Sequence, residues 1–455
     1  MVPTTTPMVT ETRSTLGSLA DWIRATDDHA EEMLRLVGEA ESALAEPASM
    51  AASDRVRLAD RLERWRYRRL AQGAGDLAPL DRQLVDALDL AANALAGRPG
   101  RAPRSARTAV ADPAFLRHLT GEAAACLDPK TDLAAIAQRA AALTRERFGV
   151  SGGRAPTARW RMLLYAPLYV SNYCVNHCLY CGFRHPHPIP RKHLTVAEAV
   201  REAEVLLGRG FRHILVVAGD FPRWTTPEYL AEILRELRAR GATPSVEIAP
   251  QSTSAYASLV EAGARGLTLY QETYDPGLYA LYHPRGTKAF YDWRLEGPER
   301  AAEAGMPRLG LGILLGLADP REDLLAMIRH AGYLRSRFPD RTLAFSLPRI
   351  HDAPPGFRVA WPVDDDAFTR MYCALRIAFP DAHLVLSTRE PAPLRNRLAE
   401  ICITQMSAGS CTAPGGYDRA RHDDRAGEQF PVCDHRSPAE VASWLAAAGF
   451  EPAWQ

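Results

Sequence analysis

A (β/α)8 barrel of the TIM type with an N-terminal helical extension is the fold class predicted by this 455-residue chain. Three observations lead there. Beyond residue 160, short apolar, β-rich runs alternate with helical patterns. The strand-then-helix unit recurs six to eight times at intervals of roughly 25–40 residues, the pattern of a parallel barrel. No internal repeat or low-complexity tract offers a competing architecture. The expected organisation is an extension and linker over 1–112 and a barrel domain with a C-terminal specific region over 113–455.

Taken in order, residues 1 to about 15 are Thr-rich and read as disordered. Leu16 to about Ala96 is rich in Ala, Leu, Arg and Glu. Stretches such as RVRLADRLERWRYRRLA there place apolar residues at helical spacing among charges. Gly, Pro and Arg concentrate in GRPGRAPRSARTAVADP (98–113), a linker signature. Residues 114–148 read as helix again and end at RERFG, basic residues before a glycine. The alternation then begins. MLLYAPLYVS, HILVVAGD, PSVEIAP, LTLYQETY, LGLGILLGL, LAFSLPR and HLVLSTRE read as strands. TVAEAVREAEVLLGRG, TPEYLAEILRELRARG, TSAYASLVEAG, GPERAAEAGM, DLLAMIRHAGYLRSRF and DDDAFTRMYCALRIAF read as the helices between them.

Composition narrows the function. A net charge of +1 with pI near 7.7 gives no field to attract nucleic acid or an anionic membrane. No apolar run is long enough to span a bilayer, and the polar start lacks a signal-peptide core, so the expected location is the cytoplasm. Eight cysteines are too few for a disulfide scaffold. Three of them, Cys174, Cys178 and Cys181, crowd into one C-x3-C-x2-C run, which in a cytosolic chain points to metal binding or catalysis.

Three thiolates on one loop can hold three irons of a [4Fe–4S] cube and leave the fourth iron open to a substrate or cofactor. Zinc bound by the cysteines and His177 is the alternative, but adjacent His177 and Cys178 would strain to share one ion. Buried, inert thiols are another. A barrel gathers reactive groups at the C-terminal ends of its strands. The cysteine run, Asp220, Glu272 and Arg349 all fall at such ends. His185, His187 and His193 in HPHPIPRKH read as a solvated loop, and RLERWRYRRLA as an exposed helix face.

On these motifs the chain resembles the radical S-adenosylmethionine (SAM) superfamily, and within it the aromatic amino acid lyases. Those comprise the thiamin-pathway tyrosine lyase (2-iminoacetate synthase) and the tyrosine lyase that matures [FeFe]-hydrogenase. The likeness runs over about 113–455, through PLYVSNYCVNHCLYCGF, YQETYD, LGLGILLGL, FSLPR, LSTRE, QMSAGSCTAPGGY and EQFPVCDHRSP. It implies a [4Fe–4S] cluster and SAM as cofactors. It also implies a 5′-deoxyadenosyl radical that takes hydrogen from the amino group of free tyrosine, breaking Cα–Cβ to p-cresol and dehydroglycine. Cys174, Cys178 and Cys181 match the cluster ligands, with Tyr180 the aromatic beside the cofactor. Gly219 and Asp220 take the place of the family's Gly-Glu pair at the SAM amino group. Glu272 and Arg294 match polar positions near SAM. Arg349 matches the arginine for the substrate carboxylate, a structural salt bridge being its alternative; Ser387, Thr388 and Arg389 fall where a late strand end lines the pocket. Implied partners are an amino-acid substrate, a reductant protein such as flavodoxin or ferredoxin, and an acceptor for dehydroglycine.

Two departures stand out. Cys411 and Cys433 do not form the paired motif of an auxiliary cluster, so conversion of dehydroglycine to CO and cyanide is not expected. The family's PRLRP reads PRIHD here, with His351 and Asp352 where Arg and Pro are usual. That change admits tryptophan or another amino acid as the alternative substrate.

Overall fold

The computed structural model describes residues 30–72, 87–88, 91–92, 94–95, 117–149, 159–418 and 427–454. The Thr-rich start and the linker at 98–113 lie outside them, as do the side chains of residues 66–72 in the basic helix.

Eight parallel strands close a barrel. They are β1 (Arg161–Ser171), β2 (His213–Ala218), β3 (Thr243–Glu247), β4 (Leu267–Glu272), β5 (Arg308–Ile313), β6 (Thr342–Ser346), β7 (His383–Leu386) and β8 (Gln405–Ser407). Each pairs with the next, and β8 returns to β1 in the register Leu163–Gln405 to Tyr165–Ser407. A ninth strand, β9 (Glu451–Ala453), adds to β1 at Arg161–Leu163, where the Arg212 N–H also donates to the Trp454 carbonyl at 2.9 Å.

The N-terminal helices are α1 (Ala30–Ala45) and α2 (Ala52–Gln72). Met33, Leu36, Val37, Ala40 and Leu44 of α1 recur at helical spacing and pack on Leu58, Leu62 and Trp65 of α2, forming a core separate from that of the barrel. Buried Glu63 reaches the barrel, its Oε2 accepting from the Thr253 N–H at 2.8 Å. Residues 114–148, expected as one helical stretch, form two helices among their described residues: α3 (Arg117–Cys126) and α4 (Leu133–Phe148). A turn through Pro129 separates them, and Asp132 restarts the helix by accepting from the Ala134 N–H at 3.0 Å.

The barrel helices follow their strands: α5 (Val196–Gly208), α6 (Pro227–Ala239), α7 (Thr253–Glu261), the short α8 (Pro276–Tyr282), α9 (Tyr291–Leu295) and α10 (Gly297–Glu303), then α11 (Pro320–Arg337), α12 (Asp365–Ala378), α13 (Ala392–Ile401) and α14 (Pro438–Ala447). Their starts are written locally. A Thr195/Glu198 capping box opens α5, and Thr226 and Asp319 cap α6 and α11. No described helix is long and apolar enough to cross a membrane.

Strand alternation divides the barrel into two environments. Leu164, Leu168, Ile214, Val216, Leu309, Leu311 and Ile313 point outward and are buried under the helices. The other faces carry Tyr165, Ser245, Glu247, Thr268, Tyr270, Arg308, Gly310, Gly312 and Ser346. Such a lumen is usually filled by branched aliphatic side chains. Here Ser245, Thr268, Gly310, Ala344 and Ser346 leave about 540 Å³ of unfilled space in its lower half. That void lies on the N-terminal side, away from the strand ends that carry the cysteines. It makes the barrel hollow rather than marking the reacting centre.

Candidate active site

Beyond β1 the chain makes a closed excursion over 172–193. Asn172 N–H donates to the Lys192 carbonyl at 3.0 Å, and Leu194 N–H to Val170 at 2.8 Å. Arg191 fastens the interior: its Nη1 donates to the carbonyls of Asn172 (2.5 Å) and Phe183 (2.8 Å), its Nη2 to those of Arg184 (2.8 Å) and His187 (3.2 Å). The three cysteines ride on this loop, none in a disulfide; Cys178 is buried and the others half-buried. Backbone N–H groups of Asn176 and Phe183 approach the Sγ of Cys174 (3.5 Å) and Cys181 (3.4 Å). Gln429 Nε2 lies 4.0 Å from the Cys181 Sγ.

Burial pushes the Cys174 thiol up to about 12, with Asp220 and Cys181 adding to it, and drives Cys178 up as well. Thiolates desolvated and crowded in this way need cationic iron to be stable as anions. The donor set therefore fits an iron–sulfur cluster: soft sulfur ligands on one loop, with N–H groups aimed at them. Zinc fits less well. Among the described residues no three His, Cys, Asp or Glu side chains converge to chelate one ion, and the His177 ring stacks on His185 at 5.2 Å. A cube instead spreads its ligands over separate irons.

A collar holds the loop from the far side. It consists of α8, the stretch 283–290 and α9. The Leu179 and His177 N–H groups donate to the carbonyls of Tyr282 and Arg285, both at 3.1 Å. Lys288 N–H donates to Asn176 Oδ1 at 2.9 Å. Tyr180 OH meets His283 Nε2 at 2.8 Å while His283 Nδ1 faces the Tyr279 carbonyl at 2.7 Å. A carbonyl only accepts, so Nδ1 carries the ring proton and Tyr180 donates to Nε2. Burial lowers the His283 pKa well below the usual range, which keeps that ring neutral.

Asp220 sits where β2, the loop and the collar meet. Its carboxylate accepts from Asn176 Nδ2 at 3.0 Å and from the Thr287 hydroxyl, and its carbonyl accepts from Val175 N–H at 2.8 Å. Gly219 beside it has a steric reason to be glycine: an added Cβ would collide with the Tyr173 carbonyl oxygen. Gly219→Ala should push the cysteine loop off β2 at a cost of about 1–3 kcal/mol. The expected result is a folded barrel by circular dichroism with reduced iron uptake; unchanged iron content would show that the loop absorbs the methyl.

Glu272 ends β4 in the left-handed region, at φ 71°. A non-glycine residue pays for that conformation, and such outliers cluster at functional sites. Buried Glu272 pairs with Lys288 Nζ at 2.5 Å and Arg294 Nη2 at 3.5 Å, while Arg294 Nε donates to the Tyr270 carbonyl at 2.5 Å.

Across the mouth, Arg349 lies beyond β6. Its Nε is 3.1 Å from both Glu390 carboxylate oxygens, its Nη2 donates to Glu390, and its Nη1 donates to Asp365 Oδ1 (2.8 Å) and the Val363 carbonyl (3.0 Å). His351 Nε2 meets the same Glu390 at 3.0 Å. Beyond β7, the Thr388 N–H donates to the Ser407 hydroxyl at 3.0 Å, and Arg389 N–H approaches Ser387 Oγ at 3.4 Å. The Arg389 guanidinium stacks on Phe430 at 3.3 Å.

The structure thus gathers Cys174, Cys178, Cys181, Tyr180, Gly219, Asp220, Glu272 and Arg294 around the loop and collar, and sets Arg349, Ser387 and Arg389 beyond β6 and β7. Sequence reasoning missed Asn176, Lys288, His283, Glu247 and Glu390. The strand-end rule that selected Glu272 also points to Glu247, the last residue of β3.

Comparison with known proteins agrees with this geometry. Residues 168–331 match the Radical SAM superfamily and 346–451 the Biotin and Thiamin Synthesis associated domain. The 2-iminoacetate synthase of Escherichia coli is 36% identical over 321 residues, 70% of this chain and 82% of that protein; the Salmonella typhimurium enzyme gives the same figures. A crystal structure of HydG, a maturase of the [FeFe]-hydrogenase, superposes with a TM-score of 0.67 at 31% identity, covering 77% of this chain and 80% of that one. HydG from Carboxydothermus hydrogenoformans gives 0.66 at 29%, covering 89% and 85%. The chain belongs to the radical SAM tyrosine lyase family, and is a radical SAM lyase whose cofactors are a [4Fe–4S] cluster and S-adenosylmethionine.

Proposed function

We propose that the enzyme cleaves the Cα–Cβ bond of free L-tyrosine to p-cresol and dehydroglycine. One observation carries this reading: the cysteine loop and its charged collar lie within a chain that spans 82% of a 2-iminoacetate synthase at 36% identity. When bound, the cluster and SAM supply a 5′-deoxyadenosyl radical.

Cys174, Cys178 and Cys181 hold the cluster. Glu272, set by its left-handed backbone and balanced by Lys288 and Arg294, presents a carboxylate to the SAM amino or ribose groups. Arg294 faces the SAM carboxylate. Asp220 orients Asn176 and Thr287, so that its carboxylate and the loop move as one piece beside the SAM amino group. Tyr180, its hydroxyl committed to His283, walls the cofactor. The head of the amino acid lies toward Arg349, Ser387 and Arg389. A flavodoxin or ferredoxin supplies the electron, and an acceptor protein takes dehydroglycine before water hydrolyses the imine.

Anaerobic reconstitution with SAM, a reductant and single amino acids tests this. Tyrosine should give 5′-deoxyadenosine and p-cresol together. 5′-Deoxyadenosine without p-cresol, with turnover of tryptophan or another amino acid, would replace tyrosine as the substrate. Glu272→Gln should weaken SAM binding on the order of 10- to 100-fold, the worth of a charged hydrogen bond. Wild-type affinity in that variant would remove Glu272 from the cofactor site.

A further inference from the structure

We propose that Glu247 on β3 and Arg389 beyond β7 form the clamp for the two charged ends of the substrate, Glu247 taking the α-ammonium and Arg389 the α-carboxylate. This rests on the reading that the substrate is a free α-amino acid and assigns its head-group site.

The first argument is charge balance at the two arginines. Arg349, the carboxylate anchor by resemblance, already carries two carboxylates, Glu390 and Asp365. One guanidinium between two carboxylates leaves a net negative site, which repels a third. Arg389 has no carboxylate partner among the described residues. Its contact is the Phe430 face, and stacking leaves the in-plane N–H groups of a guanidinium free for bidentate pairing.

The second argument is Glu247. It ends β3 on the face shared with Ser245, which lines the hollow lumen. Among the described residues nothing hydrogen-bonds or ion-pairs with its carboxylate. The groups whose charge reaches it are Glu272 on β4, Arg389 beyond β7, Arg294 on α9 and Lys288 of the collar; Tyr165 and Tyr169 on β1 and Tyr270 on β4 feel it in turn. Burial, reinforced by Glu272, pushes its pKa up to about 7 against the pull of the three cations. A desolvated carboxylate with no donor is costly unless a ligand supplies one, and an ammonium does.

The third argument is placement. In an eight-stranded ring β3 and β7 stand opposite each other, so the two charges face across the mouth. Tyr169 lies within the field of both. Its hydroxyl donates to Gln429 Oε1 at 2.7 Å, and Gln429 is the residue that approaches Cys181. The clamp is thereby tied to the cluster loop, where the radical originates.

The test is calorimetric binding to the cluster-loaded enzyme with SAM and no reductant, using tyramine, which lacks the carboxylate, and 3-(4-hydroxyphenyl)propionate, which lacks the amine. Glu247→Gln should weaken tyramine about tenfold or more and leave hydroxyphenylpropionate within about twofold; Arg389→Gln should do the reverse. Arg349→Lys should spare both. Cluster absorbance and SAM affinity verify that each variant is folded. In turnover, kcat/KM should fall as pH drops through about 7, since the ionised carboxylate binds the ammonium, and Glu247→Gln should lack that limb. The clamp is overturned if Arg349→Lys rather than Arg389→Gln releases hydroxyphenylpropionate, or if Glu247→Gln binds tyramine normally. p-Cresol production at wild-type efficiency by Glu247→Gln would sink the clamp and keep the tyrosine lyase. Absence of p-cresol from the wild type, with the same discrimination seen for tryptamine and 3-(indol-3-yl)propionate, would keep the clamp and replace tyrosine.

Discussion

Cys178→Ala should abolish both the brown visible absorbance of the reconstituted protein and its reductive cleavage of SAM. Cys178 is the most enclosed of the three thiols and lies midway along the loop, so no other cysteine can take its corner. Cys411 and Cys433 are far along the chain, and the Cys433 N–H is committed to the Thr388 carbonyl at 2.9 Å beyond β7. Two thiolates leave two irons without protein ligands, and an under-ligated cube loses iron. Cys178→Ser should rescue little, because a hydroxyl is a harder and less acidic donor. The apo-protein should be no less stable than wild type, since the change removes a buried thiol that borders Cys174 and Cys181. Iron and sulfide content, visible absorbance and 5′-deoxyadenosine yield check this together. Full absorbance with full SAM cleavage would show that the loop does not hold the cluster.

The loop was legible because its chemistry is local. Three cysteines within eight residues need no tertiary information to be seen together. Strands such as PSVEIAP and LGLGILLGL were legible for a related reason: alternation of apolar with small or polar residues over two turns of the pleat fixes one outward face. The closing strand β8 has three residues and β9 three, too few to show any period. Their pairing is decided by β1, which lies hundreds of positions away. The collar helices α8 and α9, seven and five residues long, are below the length at which a helix is stable alone. They exist because Tyr279, Trp293 and Leu295 are buried there.

Partners in the site were hidden by sequence separation. The strand-end rule found Glu272, yet Lys288, which balances it, follows 16 residues later in a stretch with no motif of its own. Arg349 was found and Glu390 was not, although 41 residues separate them and the pair is buried. The reading of His351 shows the same gap. As a departure from the family pattern it suggested an altered pocket charge. In the structure it joins Arg349 on Glu390, so its effect is exerted first on that ion pair.

Arg349→Met should destabilise the fold by about 3–5 kcal/mol, the cost of leaving a buried charge alone. Burial works to raise the Glu390 carboxyl, but the bonds from His351 and Arg349 outweigh it and hold the group below its ordinary value. The pair therefore contributes stability that is present above the unfolded carboxyl pKa and is lost as pH falls through the folded one. The deficit of Arg349→Met should be full near neutral pH and shrink in acid, where the stranded Glu390 takes a proton. Adding Glu390→Gln should recover much of the loss, because the orphaned charge is gone. Chemical denaturation of the single and double variants over pH measures both effects. A purely ligand-binding arginine would leave the denaturation midpoint unmoved and the double variant no better than the single. Arg389→Gln should do that, since Arg389 rests on an aromatic face and holds no buried carboxylate. The two arginines beyond β6 and β7 are thus separable by what each strands on removal: one a buried anion of the protein, the other the anion of the substrate.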